Sequence, residues 1–172
     1  MLSKMLKRVK NFLSFVSSVG RAADQLTEFT MLNSKQKGNL TELQCLTACS
    51  ELGLTVSIPY GDSARYDFVL DFNGELYKIQ CKTSSLKDNG VYKFATRSTQ
   101  VGTASTNVRT YTKDDIDFFA TYIEGKCYLV PVEQASGKEK TLRFVPPKNG
   151  QKEGISFAKD YELQSQLEKL KE

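Results

Sequence analysis

Two periods of apolar residues divide this chain into helices and strands. Leu2, Leu6, Val9, Leu13 and Val16 recur at spacings of four and three with Lys4, Lys7, Arg8 and Lys10 between them, which predicts a basic amphipathic helix from Met1 to about Gly20. A second short helix and a connector occupy Arg21 to Gly38, and the polar run Asn33-Ser34-Lys35-Gln36-Lys37-Gly38 marks a boundary. The next helix spans about Leu40 to Leu52, capped by Asn39 or Thr41 and stopped by Gly53. Leu43, Leu46 and Cys49 are its expected sheet-facing positions. Beyond it the period falls to two. Leu54–Ile58 reads as a strand, broken by Pro59-Tyr60-Gly61-Asp62-Ser63.

The strongest local signal is Asn73-Gly74 between two runs rich in aromatic and β-branched residues. Both residues tolerate the positive φ of a type I′ turn, whose twist suits the strands it joins. A two-residue loop here fixes the register: Phe72 faces Glu75, Leu70 faces Tyr77, Phe68 faces Ile79, and Asp67 lies opposite Gln80. Alternation then places Phe68, Leu70, Phe72, Tyr77, Ile79 and Cys81 on one apolar face. The other face carries Asp67, Val69, Asp71, Lys78, Gln80 and Lys82. A solvated strand face with cross-strand ion pairs accounts for Asp71 and Lys78. It does not account for an acid, an amide and an amine converging at the open end of the hairpin, within reach of one small ligand.

Downstream, residues 83–90 read as a loop and Val91–Thr96 as a strand. From Arg97 to Thr112 the chain is dense in Ser, Thr, Gln and Asn. With Arg97, Arg109 and Tyr111 and no acid, it is either a flexible polar loop or a donor surface for phosphate oxygens. Thr112–Asp115 reads as a capped helical turn. Asp117–Ile123 and Lys126–Val132 form a second hairpin about Glu124-Gly125. The pattern weakens beyond Pro131; Pro146–Gly150 is a turn, and Phe157–Glu172 a terminal helix with Leu163, Leu167 and Leu170 on one side.

Composition narrows the chemistry. A chain of 172 residues with 40% hydrophobic content suits one domain with extensions, here 1–36, a core at 37–133, and 134–172. The net charge of +4 is compatible with polyanion binding. There is no histidine, which removes Ser-His and Cys-His catalysis and His-Cys zinc sites. The four cysteines form no CxxC pair and read as small buried residues of a reducing compartment. No stretch is long enough to span a membrane. The acid-free, Ser-containing start leaves organelle targeting open.

Asp67, followed by Gln80-x-Lys82 on the next strand and preceded by Glu42 on a helix, resembles the PD-(D/E)xK nuclease core. The arrangement is most similar to the branch associated with group I introns, in which glutamine replaces the second acid. The Arg109-x-Tyr111-x-x-Asp114-Asp115-Ile116-Asp117-Phe118-Phe119-Ala120 block and Tyr128–Val132 resemble that branch too. Tyr66 stands where the motif has Pro. In isolation Glu42 is also explained by the first helical turn, where the dipole favours a carboxylate.

The resemblance implies an α/β fold with a mixed central sheet flanked by helices and helical extensions at both ends. It implies a magnesium-dependent endonuclease acting on double-stranded DNA, with manganese able to substitute. Asp67 is then the main metal ligand, with Glu42, the Gln80 amide oxygen and the Cys81 main-chain carbonyl beside it. Lys82 orients the attacking water. Arg65, Lys87, Lys93, Arg97, Arg109 and Tyr111 are the candidate DNA contacts. Cutting both strands calls for a homodimer or homotetramer. The expected setting is intracellular, in the cytoplasm of a prokaryote or a virus-infected host. Restriction enzymes and junction resolvases share the core, and a non-cleaving DNA-binding module is the alternative that Gln80 leaves open.

Overall fold

The computed structural model describes residues 32–61, 63–101, 106–147, 150–151 and 153–171. The basic N-terminal helix, most of the second helix and Asp62 therefore lie outside the described residues. The chain divides into two units at Lys37/Gly38, and the sheets and most of the first described helix belong to the second.

Helix α1 runs Ser34–Glu51, beginning earlier than its apolar pattern suggests. The reason is a capping box: Asn33 N donates to Gln36 Oε1 at 2.9 Å, and Gln36 N donates to Asn33 Oδ1 at 3.0 Å. The polar run expected to be a connector is thus a solvated helix start, and neither Asn39 nor Thr41 is the cap. Glu42 consequently sits about two turns inside the helix, where the dipole no longer explains a carboxylate. The buried face also differs from expectation. Thr41, Cys45 and Cys49, spaced by four, are buried, whereas Leu43 is 61% exposed because it lies about 200° around the helix from Cys45.

The central sheet has strand order β1-β2-β3-β8-β9, built from β1 (Thr55–Ser57), β2 (Phe68–Phe72), β3 (Glu75–Cys81), β8 (Phe118–Ile123) and β9 (Lys126–Pro131). The β2–β3 register is the predicted one, with Phe72 opposite Glu75, Leu70 opposite Tyr77 and Phe68 opposite Ile79. Asn73 (φ 57°) and Gly74 (φ 84°) make the turn. Asp71 Oδ1 accepts from Gly74 N at 3.1 Å and so belongs to that turn. β3 and β8 are parallel, while the other neighbours are antiparallel. Asp117 ties β8 onto β3 through two 2.8 Å bonds with the Lys78 backbone. Lys82 N then extends the ladder to Ala120 O at 2.8 Å.

The sheet is covered on both sides, which is why β8 and β9 read as nearly continuous apolar runs. One side packs Phe68, Leu70, Ile79, Phe118, Ala120, Cys127 and Leu129 against Cys45 and Cys49 of α1. Leu163 and Leu167 of the terminal helix α2 (Leu163–Lys169) complete that layer. The terminal helix is shorter than expected, since a 3-10 turn (Ala158–Tyr161) ends at the extended Glu162. The other side packs Phe119, Ile123, Tyr128 and Val130 against Phe94 and Leu142 of a second sheet and against Ala158 and Tyr161 of the 3-10 turn.

That second sheet, β10-β5-β4, comprises β4 (Ser85–Asp88), β5 (Val91–Ala95) and β10 (Glu139–Arg143). β4 lies where the sequence reads as a loop, and β10 in the stretch where the pattern weakens. The described parts of the stretch from Arg97 to Thr110 are likewise not a loop but paired strands, β6 (Arg97–Val101) and β7 (Thr106–Thr110). All four cysteines are free. Burial helps push the Cys49 thiol up to about 12, so it stays neutral, as a structural residue should. Among the described residues no helix is long and apolar enough to cross a membrane.

Candidate active site

The open end of the β2–β3 hairpin gathers the site. Asp67 precedes β2, and its backbone N–H donates at 2.8 Å to the carbonyl of Ile79, the residue that pairs with Phe68, so Asp67 is tied to β3 one step out of the ladder register. Its side chain therefore reaches the end of β3. There Oδ2 accepts from Gln80 Nε2 at 2.5 Å and from Cys81 N at 2.6 Å. Gln80 Nε2 also donates to Cys81 O at 3.2 Å. Two oxygens, one a carboxylate and one a carbonyl, thus converge on one partly positive NH2 group.

Glu42 approaches from α1. Its carboxyl is raised above the usual carboxylate range by burial and then by the charge of Asp67, which places the two acids in one electrostatic environment. Asp67 is itself raised by burial, against the opposing pull of the Cys81 N–H and the Lys82 ammonium. Thr41 and Thr83 hydroxyls meet at 3.1 Å, pinning the helix segment before Glu42 to the residue after Lys82.

Tyr111 closes the other side. Its hydroxyl donates to Gln80 Oε1 at 3.0 Å and accepts from Lys82 Nζ at 3.3 Å. Lys82 Nζ also lies 4.8 Å from the ring centroid, and Arg65 Cζ lies 4.5 Å from it. The ring edge rests on Phe119 at a centroid distance of 5.4 Å. Arg65 is oriented by Asp115 at 3.1 Å and by Thr110 O at 3.2 Å. Asp115 also holds the exposed Arg109 at 3.5 Å and caps Thr112 N at 3.1 Å. Burial would raise the Asp115 carboxyl, but the Thr112 N–H and Arg65 outweigh it and hold the group below its ordinary value.

The geometry therefore brings Glu42, Asp67, Gln80, Cys81 O and Lys82 together, with Arg65 and Tyr111 at their side and Arg109 at the rim through Asp115. Arg97 lies on the ribbon strand β6. Lys87 and Lys93 are carried on the second sheet, where Lys93 is engaged by Glu139 at 2.8 Å. Asp115 and Thr41 are organising residues that motif reading passes over. Asp115 stands inside the resembling block, but nothing in a linear sequence says that it orients Arg65, which comes 50 positions earlier.

The donor set suits a hard divalent cation. Magnesium takes few protein oxygens, and one or two carboxylates plus a carbonyl meet that need. Among the described residues no group of three or more His, Cys, Asp or Glu side chains is able to hold a metal. A cation bound here would find the Cys81 carbonyl beside Asp67, while the Gln80 amide presents its nitrogen to that point and its oxygen to Tyr111.

Comparison with known proteins bears on the family and the fold. A family model described as PD-(D/E)XK endonuclease matches residues 32–164. No curated protein matches the chain. Among solved structures, that of a bacterial homing endonuclease, I-Ssp6803I, is similar with a TM-score of 0.65 and 26% identity, covering 81% of this chain and 95% of that one.

Proposed function

The chain belongs to the PD-(D/E)XK endonuclease family and is a nuclease; from that premise we propose that it is a magnesium-dependent, site-specific DNA endonuclease of the homing type. PD-(D/E)XK nucleases generally use divalent metal ions. Asp67, Cys81 O and Glu42 would hold the ion, with the Gln80 amide oxygen as a neutral further ligand. When bound, such an ion polarises the phosphoryl group and lowers the pKa of its water.

The remaining work falls to side chains. Lys82 is held by Tyr111 where its ammonium can orient the attacking water and balance charge growing on the phosphate. Arg65 and Arg109 offer guanidinium groups on the same side for backbone phosphates. Arg97 on β6 supplies a further phosphate contact, and such contacts make affinity strongly salt dependent. Each chain has one such site and cuts one strand, so double-strand cleavage requires a homodimer or homotetramer.

One observation carries this reading: Asp67 and the Cys81 carbonyl aim at a single point beside Lys82, with a second carboxylate close by. The test is nicking of supercoiled plasmid by purified protein with Mg2+, Mn2+ or EDTA. Cutting with either ion, abolished by EDTA and by Lys82→Ala, is expected. DNA retention without cutting under any divalent ion would instead indicate a binding module.

A further inference from the structure

Four side chains form one directed run of hydrogen bonds across the site. Lys82 Nζ has protons and no lone pair, so it donates to the Tyr111 oxygen. The Tyr111 proton is then committed to Gln80 Oε1. The amide in turn presents its nitrogen to Asp67 Oδ2 and Cys81 O. The direction is forced at both ends, because an ammonium only gives and an ionised carboxylate only accepts.

This order has a cost for cation binding. The Gln80 NH2 rests on the two oxygens that a divalent cation would take, while the amide oxygen points away toward Tyr111. Gln80 can act as a ligand only after its amide turns over. The terminal torsion of glutamine is a broad two-fold rotor, so its partners decide the orientation. An ammonium on the Tyr111 oxygen makes that hydroxyl a stronger donor and a poorer acceptor. The pair therefore favours the orientation with nitrogen on Asp67.

We propose that Tyr111 is a positioning residue which, with Lys82, holds the Gln80 amide nitrogen-first on Asp67, so that cation entry is coupled to a turn of that amide. Gln80 then acts as an internal stand-in for the cation in the free protein, and turning it releases the Tyr111 proton for another acceptor. The inference rests on the nuclease reading of the same site.

The test uses the full chain without DNA and Mn2+ as probe, with binding read by electron paramagnetic resonance. Tyr111→Phe removes the donor that holds the amide. Mn2+ should bind about two- to fivefold tighter, the equivalent of one ordinary hydrogen bond or less. Plasmid nicking should nonetheless slow, because Lys82 loses its hydroxyl partner. A merely structural lesion would weaken both. In a Gln80→Glu background the two ends of the side chain are alike, and Tyr111→Phe should leave Mn2+ affinity unchanged.

Weaker or unaltered Mn2+ binding in Tyr111→Phe, or the same gain in the Gln80→Glu background, overturns the proposal. The unmutated protein gives a second readout by nitrogen-15 NMR. The Gln80 NH2 signals, assigned by their absence in Gln80→Glu, should move as Mg2+ saturates the site. Signals that stay in place while the Asp67 amide responds also overturn it. If no divalent ion binds and plasmid stays intact, the nuclease reading falls as well; if the protein nicks DNA but binds no ion without it, or binds ions while Gln80 stays still, only the coupling falls.

Discussion

Replacing Asp67 by Asn should make the protein inactive and more stable at once. The substitution removes a charge while keeping an oxygen able to accept from Gln80 Nε2 and Cys81 N, now at 2.5 and 2.6 Å. Activity should fall by about 10²- to 10³-fold, since losing one preorganised electrostatic partner typically costs ~3–4 kcal/mol of barrier. Stability should move the other way. Asp67 is raised by burial, and Glu42 by burial and by the Asp67 charge. A carboxyl whose folded value exceeds its unfolded one destabilises the fold as pH rises through the folded value, and the full effect is present at neutral pH. Removing that burden should raise the Tm of the cation-free protein by about 2–4 °C, equivalent to ~1 kcal/mol in a chain of this size. Scanning calorimetry with and without Mg2+ reads both effects. Mg2+ should raise the wild-type Tm by mass action and leave Asp67→Asn unmoved. A lower Tm in the variant, or an equal Mg2+ response in both proteins, would refute the reasoning.

Other positions separate the parts of the account. Gly74 has φ 84° and open space around its Cα, so Gly74→Ala should cost only backbone strain, about 1 kcal/mol by denaturant titration, with nicking retained. Ile79→Ala should cost about 2–5 kcal/mol, because its fully buried side chain leaves a cavity, whereas Leu43→Ala on the exposed side of α1 should stay within about 0.5 kcal/mol. Equal losses at the two sites would mean that the assigned helix face is wrong. Arg109→Ala should reduce the slope of log K against log salt for DNA by about one while leaving stability nearly unchanged, its ion pair being exposed. Asp115 has a folded value below its ordinary 3.8, so its stabilisation is complete above that pH and lost as pH falls through the folded value. Asp115→Asn should flatten the acid limb of the stability curve, and an unaltered limb would count against its role in holding Arg65.

The central hairpin was legible because its information is local. Asn73-Gly74 fixes the turn, and a strict period of two fixes the strands on either side of it. The convergence of Asp67 with Gln80 and its neighbour Lys82 can therefore be read from one short stretch. The Glu124-Gly125 hairpin was legible for the same reason, with Glu124 at φ 49° and Gly125 at φ 83°. The elements that escaped are those whose stability comes from elsewhere. β4 is exposed at every position and forms only because β5 offers it an edge. β10 completes the same sheet from more than 40 residues away, beyond the reach of any local pattern. The start of α1 was obscured because its capping residues are polar and its first turn has nothing to bury. From the sequence Tyr111 reads only as a candidate DNA contact, not as a partner of Gln80, since only the return of the chain along β7 brings its hydroxyl there.

The most direct test is crystallographic. Crystals grown without divalent ions and then soaked in Mn2+ should show one anomalous peak bonded to the Asp67 carboxylate and the Cys81 carbonyl, beside Lys82 and with the Gln80 oxygen turned inward. An intact Asp67–Gln80 hydrogen bond with the Mn2+ bound elsewhere, or not at all, would contradict the account.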